Sequence, residues 1–259
     1  MCFPSTDIYD SENQKNGKKE VNFNNRFSSE EFTSNKGKRE INEDNLQFQS
    51  GKFYLVCDGV GGNSNGQIAS QLVAETVKEA LLKSKSISGA VEDAERKLSS
   101  YKKKKPSTEY MATTIAVAEI LDNGILVSWA GDSRVYQFRD GKIIFKTTDN
   151  SWTANAVKEG VLSHLEALFH SRANELTKSI KDSSNPVKLE QVLIDDIQPD
   201  DFFLICTDGI TETWIDSDLE ELFLTTKNAN KIIQVLRNQC EIFSDDNYSA
   251  IVIQNKPYI

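Results

Sequence analysis

The sequence predicts an α+β fold in which helices cover antiparallel β-sheets. Three observations carry this. Apolar runs rich in β-formers are joined by short turns of Asn, Asp and Gly, above all Asp140-Gly141, and consecutive hairpins build antiparallel sheets. Helical spacing of apolar residues is confined to one block early in the chain and another late in it. No strand–helix–strand alternation of the kind that marks a parallel sheet occurs. A chain of 259 residues, 38% of them hydrophobic, has ample material for a core. No internal repeat or linker divides it. The expected organisation is therefore a flexible polar tail over residues 1–26, followed by a single domain over 27–259.

Taken in order, the tail is rich in Asn, Lys and Glu and poor in periodic apolar positions. A charge-dense stretch, 32–45, leads into a strand pair at 46–49 and 53–57, with Ser50-Gly51 as the tight connection. Ile68, Leu72, Val73, Val77 and Leu81 then recur at helical spacing. Val91, Ala94, Leu98 and Tyr101 mark a second helix that ends in the lysines 102–105 and Pro106. Those lysines suit the negative end of a helix macrodipole; binding of an acidic substrate is the lesser alternative. Strands are expected at 112–121, 125–130, 134–138 and 142–146. The segment 152–180, which holds His164 and His170, is helical or irregular, and 182–186 is a loop. Strands follow at 191–194 and 202–207, then a helix through Leu219, Leu222 and Phe223. Another runs through Ile232, Ile233, Leu236, Cys240 and Phe243, and a last strand covers 248–254.

The formal charge of −9 argues against a general affinity for nucleic acid or an anionic membrane. No apolar run is long enough to span a bilayer, and the polar start does not read as a signal peptide. Cys57 and Cys206 lie inside apolar strands, and Cys2 and Cys240 add no paired-ligand spacing. Reduced core thiols in a cytoplasmic protein are expected.

The chemistry is concentrated in carboxylates. Asp58 ends an apolar run and is followed by Gly59, Gly61 and Gly62; Asp132, Asp208 and Asp246 stand in comparable places where a strand meets a turn, and Glu43-Asp44 precedes a strand. Each alone has a bland explanation as a turn former. Together, acids at neighbouring strand ends repel one another unless cations compensate them. An oxygen-only ligand set without His or Cys selects hard ions, Mg²⁺ or Mn²⁺, and two such ions can activate a water for phosphoryl chemistry. Arg39 is placed to hold phosphate oxygens. Competing motifs are missing. The third glycine of a dinucleotide fingerprint is Ser64, there is no Gly-Lys-Ser/Thr phosphate loop and no Gly-x-Ser-x-Gly elbow, and no cysteine has an arginine six positions on. Neither histidine has metal-ligand spacing.

At these residues the chain resembles the metal-dependent serine/threonine protein phosphatases, the PPM or type 2C family, in their compact bacterial form. The resemblance runs from about residue 28 to 253. It rests on Gly37, Arg39, Asn42, Glu43 and Asp44; on Asp58 to Gly62; on Ala112-Thr-Thr; on Gly131-Asp-Ser-Arg; on Thr207-Asp-Gly; and on Asp246-Asn. It implies a four-layer αββα sandwich of two antiparallel sheets flanked by helices, with a two-metal site between the sheets. By the same resemblance Asp58 bridges two Mn²⁺ or Mg²⁺ ions and the Gly59 carbonyl ligates one. Asp208 and Asp246 hold one ion each, Glu43 acts through water, and Asp132 with Asp208 forms a weaker third position. Asp44 orients the nucleophilic water and Arg39 binds the substrate phosphate. The implied partners are phosphorylated proteins and, through them, a serine/threonine kinase or its targets.

The chain also departs from the family pattern. Val60 stands where eukaryotic members carry a histidine. The flap motifs at 148–152, 170–174 and 177–181 are altered. The alternative function is a catalytically silent or partner-dedicated regulatory module on the same fold; the metal acids, all present, weigh against the silent form.

Overall fold

A computed structural model describes residues 27–32, 36–60, 65–106, 110–183 and 185–256. The tail of residues 1–26, with Cys2, and the glycines Gly61 and Gly62 lie outside the described residues.

Two antiparallel sheets dominate. The first contains β1 (Phe27–Phe32), β7 (Arg134–Arg139), β8 (Lys142–Lys146), β11 (Phe202–Cys206) and β12 (Ala250–Asn255), in the order β1-β12-β11-β7-β8. The second contains β2 (Asp44–Gln49), β3 (Phe53–Val60), β4 (Ala112–Thr113), β5 (Ile115–Leu121), β6 (Gly124–Ala130), β9 (Ile180–Lys181) and β10 (Glu190–Ile194). Its order is β10-β6-β5-β3-β4-β9, with β2 also paired to β3. The helices are α1 (Asn65–Leu82), α2 (Ile87–Lys104), α3 (Trp152–Lys158), α4 (His164–Leu168), α5 (Asp208–Thr211), α6 (Asp216–Thr225) and α7 (Ala229–Phe243).

The layering follows from side-chain alternation along the strands. In β3, Phe53, Leu55 and Cys57 face α1 and α2, whereas Tyr54 and Val56 face the other sheet. In β11, Phe202, Leu204 and Cys206 face α6 and α7, whereas Phe203 and Ile205 face the other sheet. Successive residues of a strand point to opposite faces. A strand covered on both faces must therefore be apolar throughout, which is why these strands read as continuous apolar runs. The central layer between the sheets is built from Tyr54, Val56, Val127, Val135, Phe203, Ile205, Ile251 and Ile253. The result is the expected αββα sandwich.

The helices bury the stripes their spacing announces. Val73 and Val77 of α1 and Ala94 and Leu98 of α2 are fully enclosed, as are Leu219 of α6 and Ile232 and Leu236 of α7. Ser86 caps α2 by accepting from Gly89 N–H, and Asn228 caps α7 by accepting from Lys231 N–H at 2.9 Å. Such caps satisfy amides that the first helical turn leaves open.

Four features differ from expectation. The run 112–121 is not one strand: it breaks at Thr114, and β4 turns away from β6 to pair with β9 and the end of β3. The final strand starts at Ala250 rather than 248, because Asp246–Ser249 make side-chain and turn contacts near the site instead of ladder pairs. The strand β1 was not anticipated from the polar sequence Phe-Ser-Ser-Glu-Glu-Phe. Phe243, placed on the buried stripe of α7, is the helix's last residue and is 64% exposed.

Candidate active site

The carboxylates converge where the ends of the two sheets meet. Asp58 stands two residues before the end of β3, Asp132 sits in the turn from β6 to β7, and Asp208 opens α5 just after β11. Oxygens of all three lie within 4.8 Å of one another. Asp44, at the start of β2, is paired in register with Asp58. Asp246 precedes β12, which lies beside β11.

Hydrogen bonds hold Asp58 in place. Thr114 Oγ1 accepts from Asp58 N–H at 2.9 Å, Thr114 N–H donates to the Asp58 carbonyl at 2.8 Å, and Thr113 Oγ1 donates to that carbonyl at 2.7 Å. The Thr114 and Ser133 hydroxyls share a bond of 2.6 Å, so the residue next to Asp132 is tied to the residue that fixes Asp58. This is why the strand breaks at Thr114. Its backbone and side chain are used on Asp58, not on the ladder to β6. The Ala-Thr-Thr motif was legible, but its role was not.

A second network orders the opening motif. Asn247 Oδ1 accepts from Glu43 N–H at 2.7 Å, and Asn247 Nδ2 donates to the carbonyls of Lys36 at 3.1 Å and Ile41 at 3.0 Å. Thr207 Oγ1 donates to Asp44 Oδ2 at 2.9 Å, and Ser70 Oγ donates to the Glu43 carbonyl at 2.5 Å. Gly59 packs on the start of α1 so closely that a β-carbon there would lie 2.3 Å from the Gly66 carbonyl oxygen. Only glycine allows that approach. Arg39 Nη2 donates to Asp246 Oδ2 at 2.8 Å, while its side chain stays 60% exposed. The sequence placed Arg39 toward phosphate and did not foresee this pair.

The electrostatics are those of crowded acids. Burial, followed by the field of Asp208, pushes the Asp44 carboxyl up to about 7. Burial and then Asp208 raise Asp132 to about 8. Burial and then Asp246 raise Asp208 to about 6, and burial followed by Asp208 lifts Asp58 well above its usual range. Burial also raises Glu43. One oxygen each of Glu43, Asp44, Asp132 and Asp208 is enclosed without a hydrogen-bond partner among the described residues. Buried anionic oxygens that repel one another and lack donors fit a site for hard divalent cations.

The flap rises beside this cluster. Arg134 holds Asp149 bidentately at 2.7 Å, Gly131 N–H donates to Asn150 Oδ1 at 3.2 Å, and Thr177 N–H donates to the Asn150 carbonyl at 2.7 Å. The Trp152 ring stacks on His170 at 4.7 Å and lies under the Arg172 guanidinium at 4.1 Å. His170 is therefore a packing residue. His164, at the start of α4, is exposed.

Fold and cluster together define an αββα sandwich built around an acidic centre at the seam of its sheets. The chain belongs to the protein phosphatase 2C family, whose sequence profile matches residues 33–251. It is 22% identical over 240 residues to the serine/threonine phosphatase stp of Listeria monocytogenes, covering 86% of this chain and 94% of that protein. Among solved structures, the serine/threonine phosphatase Stp1 from Staphylococcus aureus superposes with a TM-score of 0.76 at 22% identity, over 89% of this chain and 96% of that one. The catalytic domain of the serine/threonine protein phosphatase PstP in complex with two manganese ions superposes with a TM-score of 0.74 at 22% identity, over 90% and 98%. Metal dependence is general in this family.

Proposed function

We propose that the chain hydrolyses phosphoserine and phosphothreonine in proteins, using two Mn²⁺ or Mg²⁺ ions. The observation that supports this most directly is the cluster of Asp58, Asp132 and Asp208, with its crowded and partly unpartnered oxygens. In this reading Asp58, the Gly59 carbonyl, Asp208 and Asp246 hold the core ions. Glu43 acts through water, and Asp132 with Asp208 offers a weaker third position. When bound, the ions supply an activated water and neutralise the phosphoryl charge. The protein's own groups do the rest. Asp44, paired in register with Asp58 and held by the Thr207 hydroxyl, orients the attacking water and takes up its proton. The exposed guanidinium of Arg39 reaches phosphate oxygens by exchanging its pair with Asp246. Val60 has no ionisable group, so this chain supplies no side-chain acid there for the leaving group. The flap beside the site shapes which phosphorylated segment enters.

The substrates would be products of a serine/threonine kinase. We place the protein in the cytoplasm, in keeping with the free buried thiols of Cys57, Cys206 and Cys240. No helix among the described residues is long and apolar enough to cross a membrane. Residues 27–259 are assigned to one phosphatase domain because both sheets share a continuous central core. The test is turnover of an aryl phosphate and of phosphoserine and phosphothreonine peptides, with Mn²⁺, with Mg²⁺ and in excess chelator. Activity restored by either ion and abolished by chelator is expected; full activity in chelator would refute the assignment.

A further inference from the structure

The lysines at the end of α2 do more than complement a helix dipole. Lys102 and Lys103, with Ser99 and Pro106, form one wall of a groove of about 450 Å³ whose other wall is Asp182 and Ser183. A smaller adjoining cavity of about 120 Å³ meets it at Ser183 and is lined by Lys178 and Lys181 from a different part of the chain, with the mostly buried Glu95 of α2 as its one acid. Lys102 pairs with Asp182 at 3.1 Å, and Lys178 pairs with Glu190. Among the described residues, Lys103, Lys104 and Lys181 are exposed and have no carboxylate in ion-pair range. In a chain of net charge −9 these unpaired lysines are a local excess of positive charge. A solvated helix terminus explains the lysines of α2. It does not explain the groove, nor the arrival of Lys181 from β9.

The groove has a defined relation to the candidate active site. Lys181 pairs in register with Ala112, and Ala112 with Val60, two residues beyond Asp58. Two ladder steps across and two residues along separate Lys181 from Asp58, roughly 12 Å between backbones. An extended peptide advances about 3.3–3.6 Å per residue, so three to five residues bridge that span. Resting on the phosphatase reading above, we propose that this basic groove binds an acidic or phosphorylated side chain of the substrate polypeptide, three to five residues from the phosphoserine or phosphothreonine being hydrolysed. Cationic grooves of this kind concentrate anionic partners and weaken as salt rises.

The test uses the full chain with Mn²⁺ and three substrates: a phosphoserine peptide with aspartates three to five residues away on either side, its uncharged counterpart, and an aryl phosphate. At low ionic strength the wild-type protein should prefer an acidic peptide in kcat/KM by roughly three- to tenfold, the worth of a few exposed ion pairs. Added salt should erase the preference. Lys102→Glu with Lys103→Glu should abolish it while the uncharged peptide and the aryl phosphate turn over as before. The gentler pair Lys102→Gln with Lys103→Gln, checked by thermal melting, controls for folding. In parallel, a labelled peptide bearing only the acidic segment should bind the wild type more tightly than the charge-reversed protein. Equal binding to both, or a preference that survives charge reversal, overturns the groove. Retained binding of the acidic peptide with no hydrolysis of any phosphopeptide overturns the phosphatase reading and leaves the groove standing as an anion site.

Discussion

Arg39 sits 2.8 Å from Asp246, so the residue expected to meet phosphate also neutralises a candidate metal acid. Two consequences follow at this scale. Arg39→Ala should raise KM for phosphorylated peptides by roughly tenfold or more, the about 1.5–3 kcal/mol of a hydrogen bond to a charged group. The same variant should bind Mn²⁺ at least as tightly as wild type, because a competing cation has been removed; calorimetry showing weaker metal binding would contradict this. Asp58→Asn should remove nearly all turnover. In chelator it should also raise the melting temperature, since Asp208, Asp44 and Asp132 oppose ionisation of the Asp58 carboxyl. The acids themselves were legible in the sequence, because an apolar run that stops at a carboxylate is a conspicuous pattern. Their supports were not. Thr114, Ser133, Thr207 and Asn247 act through partners far away in sequence, and nothing in their local spacing announces those partners.

At the scale of elements, the short helix α5 shows how tightly the site is framed. A β-carbon on Gly209 would lie 2.0 Å from the Asn247 carbonyl oxygen, which is backbone and cannot turn aside. Gly209→Ala should therefore push α5 away from the loop before β12, costing about 1–3 kcal/mol in denaturant unfolding. Because Asp208 and Asn247 move with those backbones, metal affinity should fall as well. Unchanged stability and metal affinity would show that the two segments separate freely. Most elements were readable from periodicity and turn residues, since both faces of the central strands are covered and their apolar runs are long. The misses have physical reasons. β1 is an edge strand of polar composition, paired on one side only, so its sequence does not need to look buried. α5 is too short for a helical period to register. The break at Thr114 is imposed by hydrogen bonds to β3, which a run of apolar residues conceals.

For the whole molecule, the acidic seam links stability to pH and to metal. An unfolded carboxyl titrates near 3.9, whereas Asp208, Asp44 and Asp132 are raised to about 6, 7 and 8 in the folded chain. Between those limits the folded state holds protons that the unfolded state has released. Stability is then fully present below about pH 4 as far as these groups are concerned, and is lost as the pH rises toward 8. Melting in chelator should be lower at pH 8 than at pH 5.5, and Mn²⁺ should raise it most at pH 8, where the carboxylates are free to bind. A melting temperature in chelator that climbed over that range would show that other groups control the linkage. The topology of the five-stranded sheet has one more result. Its last described strand, β12, is inserted between β11 and the first described strand, β1. As a ribosome releases the chain from its N-terminal side, β1 waits for a neighbour until residues 250–255 emerge, and the open edge of β11 waits with it. Asp246 arrives in the same moment. The nascent protein thus carries one bare strand edge, that of β1, for most of its synthesis and a second, that of β11, from residue 206 until residues 250–255 emerge, and it gains its completed sheet and its last candidate metal acid together.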